Sequence, residues 1–555
     1  MNTILVAINA KYIHSNLAVY SLRAYAEPYR DEISIAEYTI NQQLDDILMD
    51  LYKKKPDILC FSCYIWNITY VEKLVCEIKK LLPNTPIWLG GPEVSYDTEE
   101  VLCRLPEVTG VMFGEGEQTF LELMQHYYGE NISLKDIAGI TYRDENDRVV
   151  QNGWRNPIDL STVPFVYADL SEFENKIIYY ESSRGCPFSC SYCLSSVDKC
   201  LRFRNVELVK KELQFFIDHD VPQVKFVDRT FNCNHKHALE IWKYLVEHDK
   251  GVTNFHFEIS ADLLNEEELQ LISQMRPGLI QLEIGVQSTN EDTIKEIRRT
   301  MKFPEVARIV QRISERQNIH QHLDLIAGLP YEGYESFRKS FNDVYQLHPE
   351  QLQLGFLKVL KGSYMAEQKE AYELVYKSVP PYEVLSTKWL SYDEILLLKT
   401  VEQMVEVYYN SGQFSYTLRR LEKEFPSPFD MYLRLGMHYE TQGLHLMSHS
   451  RATRYEILLD FIRHLDTGEE DIYRELLTFD LYLREHVKNR PAFAGEYTVP
   501  KEWKRQYGNG VHLEKFQYNV MEDCGIKEQI FLFNYEKRSK MNRQAYCKIL
   551  SDSLQ

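Results

Sequence analysis

The segment Ser183-Arg184-Gly185-Cys186-Pro187-Phe188-Ser189-Cys190-Ser191-Tyr192-Cys193 places three cysteines in the pattern CxxxCxxC. One short loop therefore offers three thiolates, a donor set that suits a cubane iron-sulfur cluster with three irons held by protein and the fourth left open. An open iron binds something else, so the spacing predicts reaction chemistry as well as structure. The alternative is a structural zinc site, which takes four protein ligands, the last usually from a second CxxC or a His pair at regular distance. Cys200 and Cys233 follow the loop, but neither makes such a pair.

The loop resembles the cluster-binding loop of the radical S-adenosylmethionine (SAM) enzymes, down to Tyr192, the aromatic residue that commonly precedes the third cysteine. That resemblance implies that Cys186, Cys190 and Cys193 ligate a 4Fe-4S cluster and that SAM chelates the open iron through its amino and carboxylate groups. Reductive cleavage of SAM then yields methionine and a 5'-deoxyadenosyl radical that abstracts a substrate hydrogen. An external one-electron donor such as a flavodoxin or ferredoxin is implied as partner.

The elements that position this loop must be found in a chain of 555 residues, long enough for several domains by the usual length prior. Hydrophobic residues make up 44%, with only 24 Gly and 20 Pro, a composition of ordered globular protein. The N-terminus, Met1-Asn2-Thr3-Ile4-Leu5-Val6-Ala7, lacks a basic leader region and reads as a first strand, and no apolar run reaches the roughly 18 residues of a membrane span. No membrane association and a cytoplasmic location are expected. Eleven cysteines without framework spacing fit a reducing compartment. A formal charge of -19 argues against a long nucleic acid as substrate, because neutralised phosphates supply most of the affinity in such complexes.

Up to about residue 125, strand-like runs at Thr3 to Ile8, Ile33 to Tyr38, Ile58 to Cys63, Ile87 to Leu89 and Gly110 to Phe113 alternate with helix-length segments. This pattern predicts a doubly wound, Rossmann-like parallel sheet, whose ligands bind beyond the carboxyl ends of the strands. Ser62-Cys63-Tyr64-Ile65-Trp66-Asn67 follows the third strand, Gly90-Gly91-Pro92-Glu93 the fourth and Gly114-Glu115-Gly116-Glu117 the fifth. Alone these are ordinary turn sequences. In front of a radical SAM loop they resemble the cobalamin-binding domain of one large radical SAM subclass. Ser62, Trp66, Gly90, Gly91, Gly114, Glu115 and Gly116 are then the implied cobalamin contacts. The first loop, Ala10-Lys11-Tyr12-Ile13-His14-Ser15-Asn16-Leu17, departs from the DxHxxG pattern of histidine-ligating domains, so His14 is not expected to bind cobalt. Trp66 or Tyr64 is the expected shield of its lower face, with ordinary packing as the alternative.

Residues 137 to 157 predict a hairpin and linker, followed by an alternating series from Ile177 to about Tyr364 that predicts a partial (β/α)6 barrel. Its expected strands are Val224 to Asp228, Phe255 to Ile259, Leu282 to Ser288, His322 to Pro330 and Gln353 to Lys358. The GxQS and DLIxGLP segments resemble those of coproporphyrinogen dehydrogenase-like and methylthiotransferase-like radical SAM enzymes. This implies that Glu258 and Arg299 bind the methionyl amino and carboxylate groups of SAM and that Gln287 and Asp324 bind its ribose hydroxyls. The donor chemistry agrees: a carboxylate for an ammonium, a guanidinium for a carboxylate, an amide and a carboxylate for vicinal hydroxyls. Asp228, at the end of the second barrel strand, is a further candidate for the methionyl moiety. A structural ion pair or strand-end cap remains the alternative for Asp228 and Glu258.

Beyond Lys361-Gly362-Ser363 the pattern becomes mainly helical, opening with the capping box Ser391-Tyr392-Asp393-Glu394. Helices are expected over Phe429 to Glu440, Arg454 to Leu465 and Glu470 to Glu485, and strands over Val511 to Val520 and Gln529 to Tyr535. The arrangement resembles cobalamin-type radical SAM proteins with a C-terminal domain of unknown function. Expected domains are 1–136 (cobalamin-binding-like), 137–172 (hairpin and linker), 173–365 (radical SAM barrel) and 366–555 (mainly α). The resemblance implies a cobalamin-dependent radical SAM methyltransferase acting on an unactivated carbon of a small molecule or peptide. The alternatives are cyclisation, rearrangement or oxidation with the same cofactors, a catalytically silent cobalamin or redox sensor, and an RNA methylthiotransferase, the last disfavoured by acidic charge and the absence of a second cysteine triad.

Overall fold

The computed structural model describes residues 1–487, 489–495, 499, 507 and 510–550. The chain divides into two compact units, one comprising Met1–Gln274, Lys295–Thr300 and Leu357–Lys388, the other Met275–Ile294, Met301–Phe356 and Trp389–Gln555.

In the first unit, β1 (Thr3–Asn9) is buried at every position, as a strand covered on both faces must be. It pairs in parallel with β2 (Ile33–Thr39) and β3 (Ile58–Ser62), and β3 continues through β4 (Ile87–Gly90) to β5 (Gly110–Met112). Apolar faces of the intervening helices close over this sheet; the helix Ile68–Leu81 buries Ile68, Val71, Leu74, Val75 and Ile78, an i, i+3, i+4 stripe. The hairpin β6 (Ile140–Arg143) and β7 (Val149–Gln151) is not a free linker. It adds antiparallel to β5, giving the seven-stranded order β2-β1-β3-β4-β5-β6-β7.

The same unit carries three further parallel strands, β8 (Ile178–Tyr180), β11 (Gln223–Phe226) and β12 (Asn254–Ile259), with β11 between the other two. The cysteine loop runs from β8 to the helix Val206–Asp218 and is closed by a short antiparallel pair, β9 (Ser183–Arg184) with β10 (Arg202–Phe203). Gly185 in this loop has φ +91°, and a Cβ there would stand 2.6 Å from the Cys200 carbonyl oxygen, so only glycine fits the closure.

The second unit contains the parallel ladder β13 (Ile280–Gln287), β14 (His320–Ala327) and β15 (Gln351–Phe356). These strands, like β11 and β12, start one or two residues earlier than their apolar runs suggest, because ladder hydrogen bonds continue through the polar Gln, Asn and His residues ahead of them. They also stop short at Gln287 and Ala327, where a bulge and the Gly328-Leu329-Pro330 turn take over.

After the small β16 (Val375–Tyr376) and β17 (Val384–Ser386) pair of the first unit, the chain becomes helical. The capping box at Ser391 and Glu394 is formed, and the helix Tyr392–Met404 continues as a π-turn to Tyr409. Asn410 then bonds the backbone N–H and C=O of Leu352 on β15, both at 2.9 Å, satisfying peptide groups of that strand with a side-chain amide. The buried Asp480 in the helix Glu470–Arg484 accepts hydrogen bonds from Tyr416 N, Thr417 N and Thr417 Oγ1. Three antiparallel strands follow, β18 (Val511–Tyr518), β19 (Ile526–Arg538) and β20 (Ala545–Leu550), the last unforeseen from sequence. Phe531 and Phe533 are fully buried beside Phe479, so these two rings of the run 531–535 are core.

Candidate functional site

Tyr192 and its neighbouring cysteines are held by backbone bonds to distant segments: Ser191 N donates to the Ile297 carbonyl and Met365 N to the Ser191 carbonyl, at 3.0 and 2.9 Å. Cys186 and Cys190 are buried, Cys193 is partly exposed, and none is in a disulfide. Arg299 Nη1 lies 3.4 Å from Tyr192 Oη and 4.0 Å from Cys190 Sγ. Burial pushes the Cys190 thiol up, and the Arg299 guanidinium opposes that shift. The neighbouring Arg298 has φ +58° and stacks on the Tyr364 ring at 3.6 Å, so the two arginines face different groups. The donor set fits a cluster with one open iron: three free thiols in one loop, Cys186 and Cys190 buried and Cys193 partly exposed.

Two networks, neither legible from spacing, fix the strand that feeds the loop. Asp228, fully buried, accepts from Ser182 N at 2.9 Å and from the hydroxyls of Ser182 and Ser183 at 2.6 Å each. Both carboxylate oxygens are thus engaged with the end of β8; the buried His237 Nε2 stands 3.0 Å from the same Ser182 hydroxyl. Burial outweighs those bonds and pushes the Asp228 carboxyl up to about 6. Arg184, next to Gly185, spends its guanidinium on Glu115, Glu117 and Glu181, with the Glu117 contact bidentate at 2.7 and 3.3 Å. Glu115 also receives Arg202 at 2.7 Å and Ile158 N at 2.8 Å, so the acid of the GEGE turn is tied to the cysteine loop. The sequence Ser182-Ser183-Arg184-Gly185 ahead of Cys186 was the available signal.

At the strand ends of the N-terminal sheet, Tyr64 and Trp66 stack with ring centroids 4.4 Å apart and planes within 8°. Trp66 Nε1 donates to the Ile8 carbonyl, yet 41% of the residue is exposed, so the pair is anchored but presents an aromatic face. Ser62 Oγ accepts from Asn16 Nδ2 at 3.0 Å. Gly91 has φ +115°, and a Cβ there would stand 2.5 Å from the Cys63 carbonyl oxygen. Gly90 is the last residue of β4, and the turn after it places Glu93 in hydrogen bond with Tyr382. Gly114 adopts φ +75°, and Gly116 precedes the helix Glu117–Tyr127. His14 Nδ1 lies 2.6 Å from Tyr179 Oη, and burial pushes its pKa down.

Of the remaining SAM candidates, Glu258 on β12 lies 3.9 Å from Lys225 Nζ on β11. In the second unit Gln287 sits at the bulge with φ +72°, and its buried Oε1 has no hydrogen-bond partner among the described residues. A strained backbone aiming an unsatisfied amide is the kind of group a ligand completes. Asp324 Oδ1 stands 3.0 Å from His322 Nε2, and Glu283 joins them, the three sharing one face of β13 and β14. His322 and Glu283 escaped sequence reasoning, although their even spacing from Asp324 and Gln287 was visible.

A B12 binding domain model matches residues 3–124, the Radical SAM superfamily model residues 180–344, and a model described as a protein of unknown function (DUF4080) residues 370–521. The chain thus carries, in order, matches to a B12 binding domain, to the Radical SAM superfamily and to DUF4080. It is 27% identical over 344 residues to the cobalamin-dependent radical SAM methyltransferase TokK of Streptomyces tokunonensis, covering 57% of this chain and 49% of that protein. It is 22% identical over 337 residues to an anaerobic magnesium-protoporphyrin IX monomethyl ester cyclase of Rubrivivax gelatinosus, covering 58% and 60%. The chain thus spans about half the length of the curated relatives it matches. In fold it resembles the cobalamin-dependent SAM radical enzyme OxsB, with TM-score 0.59 at 18% identity over 86% of this chain and 79% of that one. It also resembles the radical SAM methyltransferase TsrM of Kitasatospora setae, with TM-score 0.54 at 16% identity over 68% and 78%. The α/β architecture of Rossmann-like sheet, parallel barrel strands and mainly helical C-terminal part is therefore shared with that class. Among the described residues no helix is long and apolar enough to cross a membrane.

Proposed function

We propose that this protein is a cobalamin-dependent radical SAM enzyme that methylates an unactivated carbon of a small-molecule or peptide substrate. The observation that carries the reading is the union in one chain of a B12 binding match with a three-thiolate loop whose buried Cys190 lies beside Arg299. When bound, the cluster and SAM supply a carbon radical and cobalamin a transferable methyl group. The residues supply the rest. Cys186, Cys190 and Cys193 would hold the cluster, and Arg299, near both Tyr192 and Cys190, stands beside those thiolates. Arg299 offers a planar fork to the methionyl carboxylate and Glu258 an acceptor to the amino group; Gln287 and Asp324 are assigned the ribose hydroxyls. Asp228, bonded to Ser182 and Ser183, acts through the loop's backbone. Ser62, Trp66, Gly90, Gly91, Gly114 and Gly116 line the cobalamin side, Trp66 presenting the exposed aromatic face, while Glu115 fixes the turn.

We propose the domains 1–136, 137–172, 173–365 and 366–555, the hairpin of the second pairing with the sheet of the first, a cytoplasmic location, and a flavodoxin or ferredoxin as electron source. A cyclase using the same cofactors is the second reading, favoured by the cyclase among the relatives. Anaerobic reconstitution with iron, sulfide and cobalamin, followed by mass spectrometry of SAM products in the presence of cell extract, separates them. Methyl transfer gives S-adenosylhomocysteine together with 5'-deoxyadenosine. Deoxyadenosine without S-adenosylhomocysteine selects the second reading, and neither product removes both.

A further inference from the structure

The C-terminal helices hold a set of metal-ligating side chains that the proposed radical chemistry does not use. His438 lies in the helix Pro428–Thr441, and Asp460 and His464 lie in the helix Arg451–His464. Residues four apart share a helix face, so Asp460 and His464 project together toward the neighbouring helix. Asp460 Oδ2 stands 3.4 Å from His438 Nε2 and 3.6 Å from His464 Nδ1. The three ligand atoms all lie within 4.8 Å of one another. Around a tetrahedral Zn2+ with bonds of about 2.0–2.1 Å, neighbouring ligand atoms are separated by roughly 3.4 Å. Two edges of such a polyhedron are therefore nearly in place.

An independent observation points to a ligand. The His438 side chain is only 8% exposed and packs against Phe461, ring centroids 5.5 Å apart. Its Nε2 is buried without a hydrogen-bond partner among the described residues, and it is the atom aimed at Asp460. An imidazole nitrogen so placed has a lone pair to offer a metal when the ring is unprotonated. Two imidazoles with one carboxylate favour a borderline divalent ion such as Zn2+ over Mg2+ or Ca2+, and three protein ligands leave a fourth position for water. His464 Nδ1 also lies 2.8 Å from the Asp460 carbonyl, so ligation costs that contact or turns the ring to offer its other nitrogen; at 56% exposure the side chain has room to do so.

We propose that His438, Asp460 and His464 form a Zn2+ site that clips the helix Pro428–Thr441 to the helix Arg451–His464. The test uses the cluster-reconstituted full chain, whose cysteine loop is filled, and in parallel the Cys186→Ala/Cys190→Ala/Cys193→Ala chain, which has no such loop to bind zinc. Zn2+ is titrated in competition with a chromophoric chelator. The expected result is one Zn2+ per chain, with affinity falling at least tenfold in both Asp460→Asn and His464→Gln. Thermal unfolding should shift upward with Zn2+ in the parent and not in these variants. Both substitutions lie at partly exposed positions, and circular dichroism without metal checks that the fold is kept. Absence of Zn2+ binding, or binding that falls less than tenfold in either variant, overturns the proposal and leaves Asp460 as a surface partner of two histidines.

Discussion

Arg184→Gln isolates what the ion network around the cysteine loop contributes. Arg184 uses donors on Nε, Nη1 and Nη2 against Glu115, Glu117 and Glu181, and its side chain is 21% exposed while that of Glu117 is 6% exposed. Removing the guanidinium leaves Glu115 with Arg202 and Ile158 N but takes from the buried Glu117 its bidentate partner. Breaking a buried pair by deleting one partner costs 3–5 kcal/mol; the partial exposure of Arg184 places the expected loss at about 3 kcal/mol. Burial alone would raise the Glu117 carboxyl, and Arg184 prevails to hold it low. In the wild type this depressed group stabilises the fold above the ordinary carboxylate pKa and loses that contribution as pH falls through its folded value. In Arg184→Gln burial is opposed only by a backbone hydrogen bond and by the charge of Arg202, so Glu117 destabilises increasingly as pH rises. The deficit should therefore be smallest near about pH 4 and widen toward about pH 7. Denaturant unfolding of the apo chain over that range measures it, with Glu117→Gln as second member of a double-mutant cycle expected to recover at least about 1.5 kcal/mol. A deficit under about 0.5 kcal/mol, or additive single effects, would falsify the network's role.

Cys190→Ala should abolish the visible absorption of the reconstituted cluster and all SAM cleavage, because two thiolates remain for a four-iron core; retained cleavage would end the radical SAM reading. Arg299→Lys keeps charge but loses the planar fork, so the cluster spectrum should survive while deoxyadenosine formation at subsaturating SAM falls at least about tenfold, roughly 1.4 kcal/mol; unchanged cleavage would make Arg299 a packing partner of Tyr192 only. Asp480 is pushed by burial from 3.8 up to about 7, so its contribution is full below the unfolded pKa and lost as pH rises through the folded one. Asp480→Asn should thus gain on the wild type by up to roughly 4 kcal/mol between about pH 4 and pH 7, read as the difference in unfolding midpoints, and a pH-independent difference refutes it.

How much of this was legible beforehand follows from where the information lies. A parallel strand covered on both faces needs a continuous apolar run, so Thr3 to Ile8 announces itself, and a loop that holds a cluster needs its ligands close in sequence. By contrast β20, Ala-Tyr-Cys-Lys-Ile-Leu, buries only Ala545, leaves the adjacent Lys548 and Ile549 both exposed and is paired along its length with β19, which no local pattern reveals. The hairpin at 140–151 was visible, but its attachment to β5 depends on a partner 30 residues away. Side chains follow the same division. The residue types that touch a cofactor could be inferred from chemistry and resemblance, whereas those that hold the loop, Arg184 with Glu117 and Ser182 with Asp228, meet across 67 and 46 residues. Asp228 shows what that separation conceals. Its place at a strand end suggested a cofactor ligand, and both of its oxygens accept hydrogen bonds from Ser182 and Ser183, so on the proposed function it would act on SAM through the backbone that leads to Cys186. Its removal should therefore be felt first as a misplaced loop, and only through that loop as weaker SAM binding.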